Sequence, residues 1–187
     1  EPFGDRPSDP APGAGDDDDL AGEVGVGHAC LLDRGEAVGE PVDLLYEMTG
    51  IVTDILPQEK PRYLMGVGKP ENLVECVHLG VDMFDCVIPT RNGRKGQAFT
   101  RTSTLNLRNA KFKDLFQPIE AGCGCYTCQN FSCAYLRHLF QAGELLAMRL
   151  VSLHNIHFFH TFMADMREAI MADTFESWRK SFYANLR

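Results

Sequence analysis

The clearest folding signal in this sequence lies between residues 63 and 89, which read YLMGVGKPENLVECVHLGVDMFDCVIP. The first part, Tyr63–Gly68, is a short apolar strand that ends in glycines. Pro70 and the acid after it are typical of the first turn of a helix, and Gly80 ends that helix. A second apolar strand, Val81–Ile88, is then halted by Pro89. A strand, a helix and a strand form a βαβ unit, whose two strands pair in parallel.

The flanking segments continue this alternation of helix and strand. Apolar residues recur at helical spacing from Leu44 to Ile55, and Pro57 closes that run. Gln97–Leu107 is expected to be a short extended excursion. Three more helices are predicted, over Ser132–Leu150, Asn155–Ile170 and Thr174–Asn185, the last capped by Asp173. Repeated β-α alternation predicts an α/β sheet or barrel.

Length and composition indicate one globular domain behind an acidic leader. The chain has 187 residues, of which 44% are hydrophobic and 24% charged, and domains commonly run to about 100–200 residues. Residues 1–24 hold eight acids and one arginine in a Pro- and Gly-rich context, so we expect them to be disordered and residues 25–187 to fold. No apolar run reaches the ~18–20 residues of a membrane helix. No secretory signal is recognisable either, so we predict a cytoplasmic protein without a membrane partner.

A basic segment lies within the otherwise near-neutral body. Residues 86–119 contain seven cations and one acid, although the net charge of the whole chain is −8. Such an excess is sufficient to contact several phosphates. A solvated loop and strand edge is the alternative interpretation of a charge run.

The cysteine spacing predicts a metal site. Seven cysteines cannot all pair in disulfides, and three of them lie within six residues as Cys123-x-Cys125-x2-Cys128. Such spacing is typical of zinc ligation in a reducing compartment, with a redox or incidental cluster as the alternative. A tetrahedral structural site needs a fourth ligand. The spacing leaves several candidates open, namely Cys133, His138, His154, His157 and His160. Of these, His154 is expected to begin a helix and so to project toward the preceding loop.

Chemistry-bearing residues also follow the two strands of the βαβ unit. Asp85 lies in an apolar strand, where a buried carboxylate is costly and requires a reason. At the carboxyl end of a parallel strand that reason is often catalysis, and a structural Asp bonded to backbone amides is the alternative. Gly66 and Gly68 would admit a flat ligand to the backbone, or simply form a tight turn. Met65 would stack on a base or fill the core.

Taken together, these motifs resemble the bacterial type of queuine tRNA-ribosyltransferase, also called tRNA-guanine transglycosylase. The resemblance covers about residues 35–187 and corresponds to the C-terminal part of that enzyme. It rests on YLMGVGKP at 63–70, DMFDCVIPTRNGR at 82–94, Cys123-x-Cys125-x2-Cys128, and His154-Asn155.

The resemblance implies a partial (β/α)8 barrel made of its last three or so βα units, with an inserted zinc subdomain at about 97–160 and C-terminal helices. It also implies exchange of guanine at the tRNA wobble position for 7-aminomethyl-7-deazaguanine, a queuosine precursor. Asp85 would be the nucleophile that attacks the ribose C1′ and forms a covalent glycosyl-enzyme. Met65 would stack on the base, and Gly66 would lie along the wall of the base pocket.

The resemblance assigns further binding residues. Arg91 and Arg94 match the readers of the anticodon-loop bases, since arginine both stacks and bonds bidentately. Cys123, Cys125, Cys128 and His154 match the ligands of a structural Zn²⁺. A strand at 35–40 matches a substrate-pocket strand, in which the amide of Gly35 would meet the base. Glu40 would support the peptide that faces its aminomethyl group.

Such an enzyme is roughly twice as long, so the half with the general base is missing from this sequence. Either this sequence is a fragment of a gene, or a second chain completes the barrel, as a partner or in a homodimer. In both cases we expect little exchange activity from the lone chain. The alternative is a non-catalytic, zinc-stabilised tRNA-binding or accessory subunit. An archaeosine-type relative is a third interpretation, which the PTRNGR loop at residues 89–94 disfavours.

Overall fold

The computed structural model describes residues 41–186, which form helices and short strands in a mixed α/β arrangement. The predictions for the acidic leader, for Gly35 and for Glu40 lie outside these residues. In chain order the elements are α1 (Val42–Ile55), β1 (Tyr63–Met65), α2 (Pro70–His78), β2 (Met83–Asp85), α3 (Ile88–Arg94), β3 (Gln97–Phe99), β4 (Thr104–Asn106), a 3-10 turn (Ala110–Phe112), α4 (Tyr126–Asn130), α5 (Cys133–Ala142), α6 (Leu145–Met171) and α7 (Phe175–Asn185).

The predicted βαβ unit is present. Strands β1 and β2 pair in parallel, with Tyr63 opposite Met83 and Met65 opposite Asp85. Helix α2 between them begins with Pro70, where no amide hydrogen is needed. The chain leaves this helix through Gly80, whose φ of 96° is the left-handed conformation that glycine adopts readily.

The second strand ends earlier than the sequence predicts. Ile88 was expected to continue β2, but it begins α3 and is buried. Pro89 lies in the first turn of α3, where its fixed φ suits a helix and its missing amide hydrogen costs nothing. Pro89 therefore starts a helix rather than merely stopping a strand. The extended excursion predicted after it is confirmed as an antiparallel hairpin of β3 and β4.

The C-terminal helices also differ from the prediction. Gly143, with φ of 75°, ends α5 in the left-handed conformation, so a single helix over 132–150 is wrong. Helix α6 then runs uninterrupted for 27 residues, which places His154 inside it rather than at a helix start. Asp173 does not cap the last helix, because Thr174 takes that position and makes no side-chain capping bond.

Two apolar cores meet along α6. The first core lies around the cysteines and takes Ala147, Leu150 and Val151 from this helix. The second core packs against the βαβ unit and takes Phe158, Phe162 and Met166 from the next turns of the same helix. Helix α6 thus packs in both cores, the first through its N-terminal part and the second through its later turns.

Within residues 41–186 the sheets are small, one parallel pair and one antiparallel pair of strands. A mixed α/β fold is therefore confirmed, whereas the predicted partial barrel of about three βα units is not, since only β1 and β2 pair in parallel among the described residues. None of the helices in the described range combines the length and the apolar character needed to span a bilayer.

Candidate functional site

The three cysteines and one histidine converge on a single point. Cys125 is the N-cap of α4, and its sulfur accepts a hydrogen bond from the backbone amide of Cys128 at 3.3 Å. This cap turns the loop so that the thiols of Cys123, Cys125 and Cys128 face α6. There His154 Nδ1 lies 3.9, 3.5 and 3.4 Å from the three sulfur atoms in that order. The four ligand atoms all lie within 4.8 Å of one another.

These distances fit a tetrahedral metal. Zn–S bonds of ~2.3 Å and Zn–N bonds of ~2.0–2.1 Å place the sulfur and nitrogen atoms of a tetrahedral site about 3.6 Å apart. The observed separations of 3.4–3.9 Å bracket that value. The donor set of three thiols and one imidazole is also the set that structural zinc sites use. With four protein ligands, no position remains open for water.

The imidazole of His154 is oriented by the hairpin. Its Nε2 lies 2.8 Å from the carbonyl oxygen of Phe99, so Nε2 carries the hydrogen and donates it. Nδ1 is then left unprotonated toward the thiols, which is the tautomer a metal ligand requires. The side chain is fully buried, and this burial lowers the pKa of His154. His154 thus remains a neutral ligand near neutral pH.

The thiols need a cation to ionise. Burial raises the pKa of Cys123 and of Cys128, against the lowering effect of a backbone hydrogen bond to each, and Coulombic repulsion from the neighbouring Cys125 adds to the increase. A bound metal supplies the positive charge that holds such thiols as thiolates. Cys133, another candidate ligand, lies in the same apolar core but outside the cluster of ligand atoms. Among the described residues, the cluster that could hold a metal is that of Cys123, Cys125, Cys128 and His154.

A second group of predicted residues meets at the carboxyl edge of the parallel sheet. Met65 and Asp85 are directly opposite each other in the register of β1 and β2. Gly66 follows with φ of 77°, and its amide donates to the Asp85 carbonyl at 2.9 Å. The structure therefore brings Met65, Gly66 and Asp85 together, although it does not test the roles predicted for them.

The prediction that Asp85 is buried is wrong. Its side chain is exposed, because the carboxyl end of this short strand opens to solvent in the described part of the chain. The hydroxyl of Tyr63 donates to Asp85 Oδ1 at 2.7 Å, and the Gly66 amide lies 3.4 Å from the same oxygen. Within residues 41–186, Oδ2 has no hydrogen-bond partner. Tyr63 was not predicted as a site residue. It lies opposite Met83, two residues before Asp85, so its side chain is on the same face of the sheet as the carboxylate.

Gly68 has a packing role that neither sequence interpretation anticipated. A Cβ atom at this position would lie 2.0 Å from the sulfur of Cys86 and 2.8 Å from its Cβ. The absence of a side chain at Gly68 therefore makes room for Cys86, the residue after Asp85. A close approach between two segments of the protein, rather than a ligand, explains this glycine.

The two predicted RNA-reading arginines lie on α3 and are exposed. In the described part of the chain neither Arg91 nor Arg94 forms an ion pair. Of the seven cations in the basic segment, Arg101 is paired with Asp165. Arg108 lies over the ring of Phe140 at 4.9 Å and donates through Nε to the Lys95 carbonyl. These contacts hold Arg108 without neutralising it, so within residues 41–186 Arg91, Arg94 and Arg108 have no carboxylate partner.

The described residues thus form an α/β protein that combines a βαβ unit, with a carboxylate at its exposed edge, and a Cys3His cluster that could hold a metal ion. A family model described as queuine tRNA-ribosyltransferase matches residues 30–187. The chain therefore belongs to the queuine tRNA-ribosyltransferase family.

Individual relatives carry the same name. A queuine tRNA-ribosyltransferase of Desulforapulum autotrophicum is 54% identical over 149 residues, which are 80% of this chain and 40% of the relative. The relative from Neisseria meningitidis serogroup A is 53% identical over 151 residues, 81% of this chain and 41% of the relative. The one from Haemophilus ducreyi is 46% identical over 167 residues, 89% of this chain and 44% of the relative. The chain thus spans less than half the length of the curated relatives it matches.

Proposed function

We propose that this chain is the C-terminal portion of a tRNA-guanine transglycosylase, which exchanges guanine at the wobble position for 7-aminomethyl-7-deazaguanine. The observation that carries the proposal is the exposed Asp85 carboxylate, held by Tyr63 beside Met65 at the carboxyl edge of the parallel pair. Carboxyl ends of parallel strands are where (β/α)8 enzymes place their catalytic groups. Because the chain belongs to the queuine tRNA-ribosyltransferase family, we connect this carboxylate with base exchange in tRNA.

In the proposed reaction Asp85 Oδ2 attacks C1′ of the target ribose as the glycosidic bond to guanine breaks. Guanine leaves with the bonding electrons and takes up a proton. The incoming base then attacks C1′ through its ring nitrogen, loses its proton and displaces the carboxylate. Two displacements at one carbon retain its configuration, as in retaining glycosidases. The hydroxyl of Tyr63 keeps Oδ1 occupied, which leaves Oδ2 as the attacking atom.

The remaining assignments support substrate binding. Met65 stacks on the base, and Gly66 forms part of the pocket wall beside it. Gly35 and Glu40 are assigned to binding of the incoming base. Arg91 and Arg94 read the anticodon loop, while the basic surface after them contacts the RNA backbone, where each cation adds a salt-dependent contribution to affinity.

Zn²⁺ is the proposed metal and its role is structural. Cys123, Cys125, Cys128 and His154 would hold it, and it would supply the positive charge that stabilises the three thiolates. The subdomain at about 97–160 is organised around this site in the proposal. The barrel is completed by a partner chain or by the N-terminal portion that the family's full-length members have. The complete protein acts on tRNA in the cytoplasm, as a homodimer or with that partner.

Base exchange with labelled guanine tests the proposal. The chain is joined to the N-terminal portion of the Desulforapulum autotrophicum relative, and incorporation of labelled guanine into tRNA is measured for the joined protein and for the lone chain. We expect activity in the joined protein, little in the lone chain, and none with Asp85→Asn. Asp54→Asn, an exposed position on α1, is the matched control and should leave activity unchanged.

Two outcomes would overturn the proposal in different ways. Full activity of Asp85→Asn would remove Asp85 as the nucleophile. An inactive joined protein that still binds tRNA would favour a non-catalytic, tRNA-binding accessory subunit. A covalent RNA–protein band on denaturing gels, present with the parent chain and absent with Asp85→Asn, would establish the glycosyl-enzyme directly.

A further inference from the structure

Helices α3 and α6 approach each other more closely at Gly93 than side chains normally permit. A Cβ atom at Gly93 would lie 2.8 Å from both the backbone nitrogen and the Cα of Ser152, and 2.7 Å from its Oγ. Non-bonded carbon atoms prefer separations of about 3.5–4.0 Å. Only glycine therefore allows α3 to pack directly on the backbone of α6. The hydroxyl of Ser152 adds a long contact of 3.4 Å to the Thr90 carbonyl on the same helix.

Asn155, one turn further along α6, bonds both ends of the segment that contains α3. Its Nδ2 donates to the carbonyl of Pro89 at the start of α3 and to that of Gln97 just beyond it, both at 2.9 Å. Its Oδ1 accepts from the amide of Phe99 at 3.1 Å. The side chain is fully buried, so these bonds have no competition from water. One amide group thus fixes the two termini of the α3 segment relative to α6.

We propose that Gly93 and Asn155 are positioning residues for RNA recognition, holding α3 at the depth and angle that present Arg91 and Arg94 to the anticodon loop. This inference rests on the proposed function, in which those arginines contact RNA. Neither positioning residue touches RNA itself. Gly93 sets the distance between the two helices, and Asn155 sets the register of α3 along α6.

The size of the effect follows from the packing. A methyl group at Gly93 must retreat from 2.8 Å to at least about 3.5 Å, which moves α3 outward by about 0.7 Å or more. The neighbouring atoms are backbone, so no side-chain rotation can absorb the shift. A displacement of ~1 Å is enough to cost up to about 100-fold where a site depends on geometry.

Hydrogen exchange of the zinc-loaded chain tests the packing directly. The amides of Arg91, Lys95 and Gly96 are bonded within or just after α3, and in Gly93→Ala we expect them to exchange at least about 10-fold faster. Protection in α2 and α7 and the zinc content should stay unchanged. Gly50→Ala is the matched control, since its methyl group meets only the Leu79 side chain at an ordinary 3.7 Å.

A double-mutant cycle separates positioning from a general loss of stability. Binding of a short anticodon stem-loop RNA is measured for a variant with both Arg91→Ala and Arg94→Ala, for Gly93→Ala, and for the variant with all three changes. If Gly93 acts through these arginines, Gly93→Ala lowers the affinity of the parent about 10-fold but adds little to the arginine variant. The same ~10-fold loss in both backgrounds would show independent effects and would overturn the inference.

Asn155→Ala provides a second variant in both assays. We expect the same localised increase in exchange, and the same lack of additivity with the variant that carries both Arg91→Ala and Arg94→Ala. Unchanged protection of α3 in both variants would overturn the inference. So would a loss of protection spread evenly over the chain. Failure of the unaltered chain to bind the stem-loop RNA would contradict the RNA contact of the proposed function. The hydrogen-exchange data would still decide whether Gly93 and Asn155 hold α3 against α6.

Discussion

The contact between Gly68 and Cys86 yields a prediction whose magnitude can be worked out from the structure. In Gly68→Ala the new methyl group would lie 2.0 Å from Cys86 Sγ, 2.8 Å from Cys86 Cβ and 3.5 Å from Ile88 Cδ1. Overpacking of this kind costs about 1–3 kcal/mol. The lower entropy of the unfolded alanine variant offsets about 0.4–1 kcal/mol of that cost. We therefore expect the free energy of unfolding to fall by about 1–2 kcal/mol.

A compensating substitution makes this prediction specific. Cys86→Ala removes the sulfur but leaves the Cβ at 2.8 Å, so it should restore part of the stability lost in Gly68→Ala. Cys86→Gly removes both atoms and should give the larger coupling energy, about 1–2 kcal/mol in the double-mutant cycle. The free energies come from urea unfolding of the zinc-loaded chain at constant metal concentration.

The control for this series is Gly124→Ala, whose Cβ would meet no atom within 4 Å. We expect Gly124→Ala to be more stable than the parent by about 0.4–1 kcal/mol, because it lowers the entropy of the unfolded chain and adds no clash. Equal stability of Gly68→Ala and the parent would refute the packing argument. Additive costs in both double variants would refute it as well, since they would show that the two positions do not interact.

Three further changes are predicted from contacts of the described residues. Tyr63→Phe removes one hydrogen bond to Asp85, the proposed nucleophile. Guanine exchange by the joined enzyme should therefore slow about 3–10-fold, with little change in the free energy of unfolding. An unchanged kcat would contradict this prediction. Arg179→Met removes the bidentate hydrogen bond to Glu75 that links α7 to α2. It should lower the free energy of unfolding by about 1–3 kcal/mol, and Arg179→Lys should have a stability between those of Arg179→Met and the parent. Burial raises the pKa of Glu75, but the hydrogen bonds from Arg179 and Tyr183 outweigh this effect, so the net pKa is lowered from 4.5. The contribution of ionised Glu75 to stability is therefore complete above pH 4.5 and is lost as the pH falls through the lower folded pKa. A stability difference between Arg179→Met and the parent that persists at pH 2 would contradict this. Cys125→Ser should lower zinc content from about one per chain, whereas Cys133→Ser, in the same core but outside the cluster, should retain zinc, and metal analysis of both variants checks the pair.

The local parts of this structure follow from local sequence signals. Pro70 and Gly80 bound α2 because one lacks an amide hydrogen and the other tolerates a positive φ. The thiol spacing predicted the cluster because Cys125 and Cys128 lie one turn apart and thus face the same way. These constraints act within a few residues, so periodicity and spacing express them.

The parts that sequence patterns failed to predict depend on distant residues. Gly143 was not recognised as a break between two helices, because a glycine in an apolar run also occurs inside helices. Asp85 was judged buried from its apolar neighbours, yet the strand is three residues long and its end is open. The bonds from Asn155 span up to 66 residues, and no local pattern encodes them.

That separation has a consequence for synthesis on the ribosome. Pro89 is synthesised 66 residues before Asn155, whose side-chain amide donates to the Pro89 carbonyl. At ~5–20 residues per second, this separation corresponds to about 3–13 s of elongation. Throughout that interval the nascent βαβ unit lacks the helix that forms one wall of its core, and its apolar side chains stay available to chaperones. Translation pauses in the codons for α5 would lengthen this exposure, so codon choice there should affect the yield of correctly folded protein.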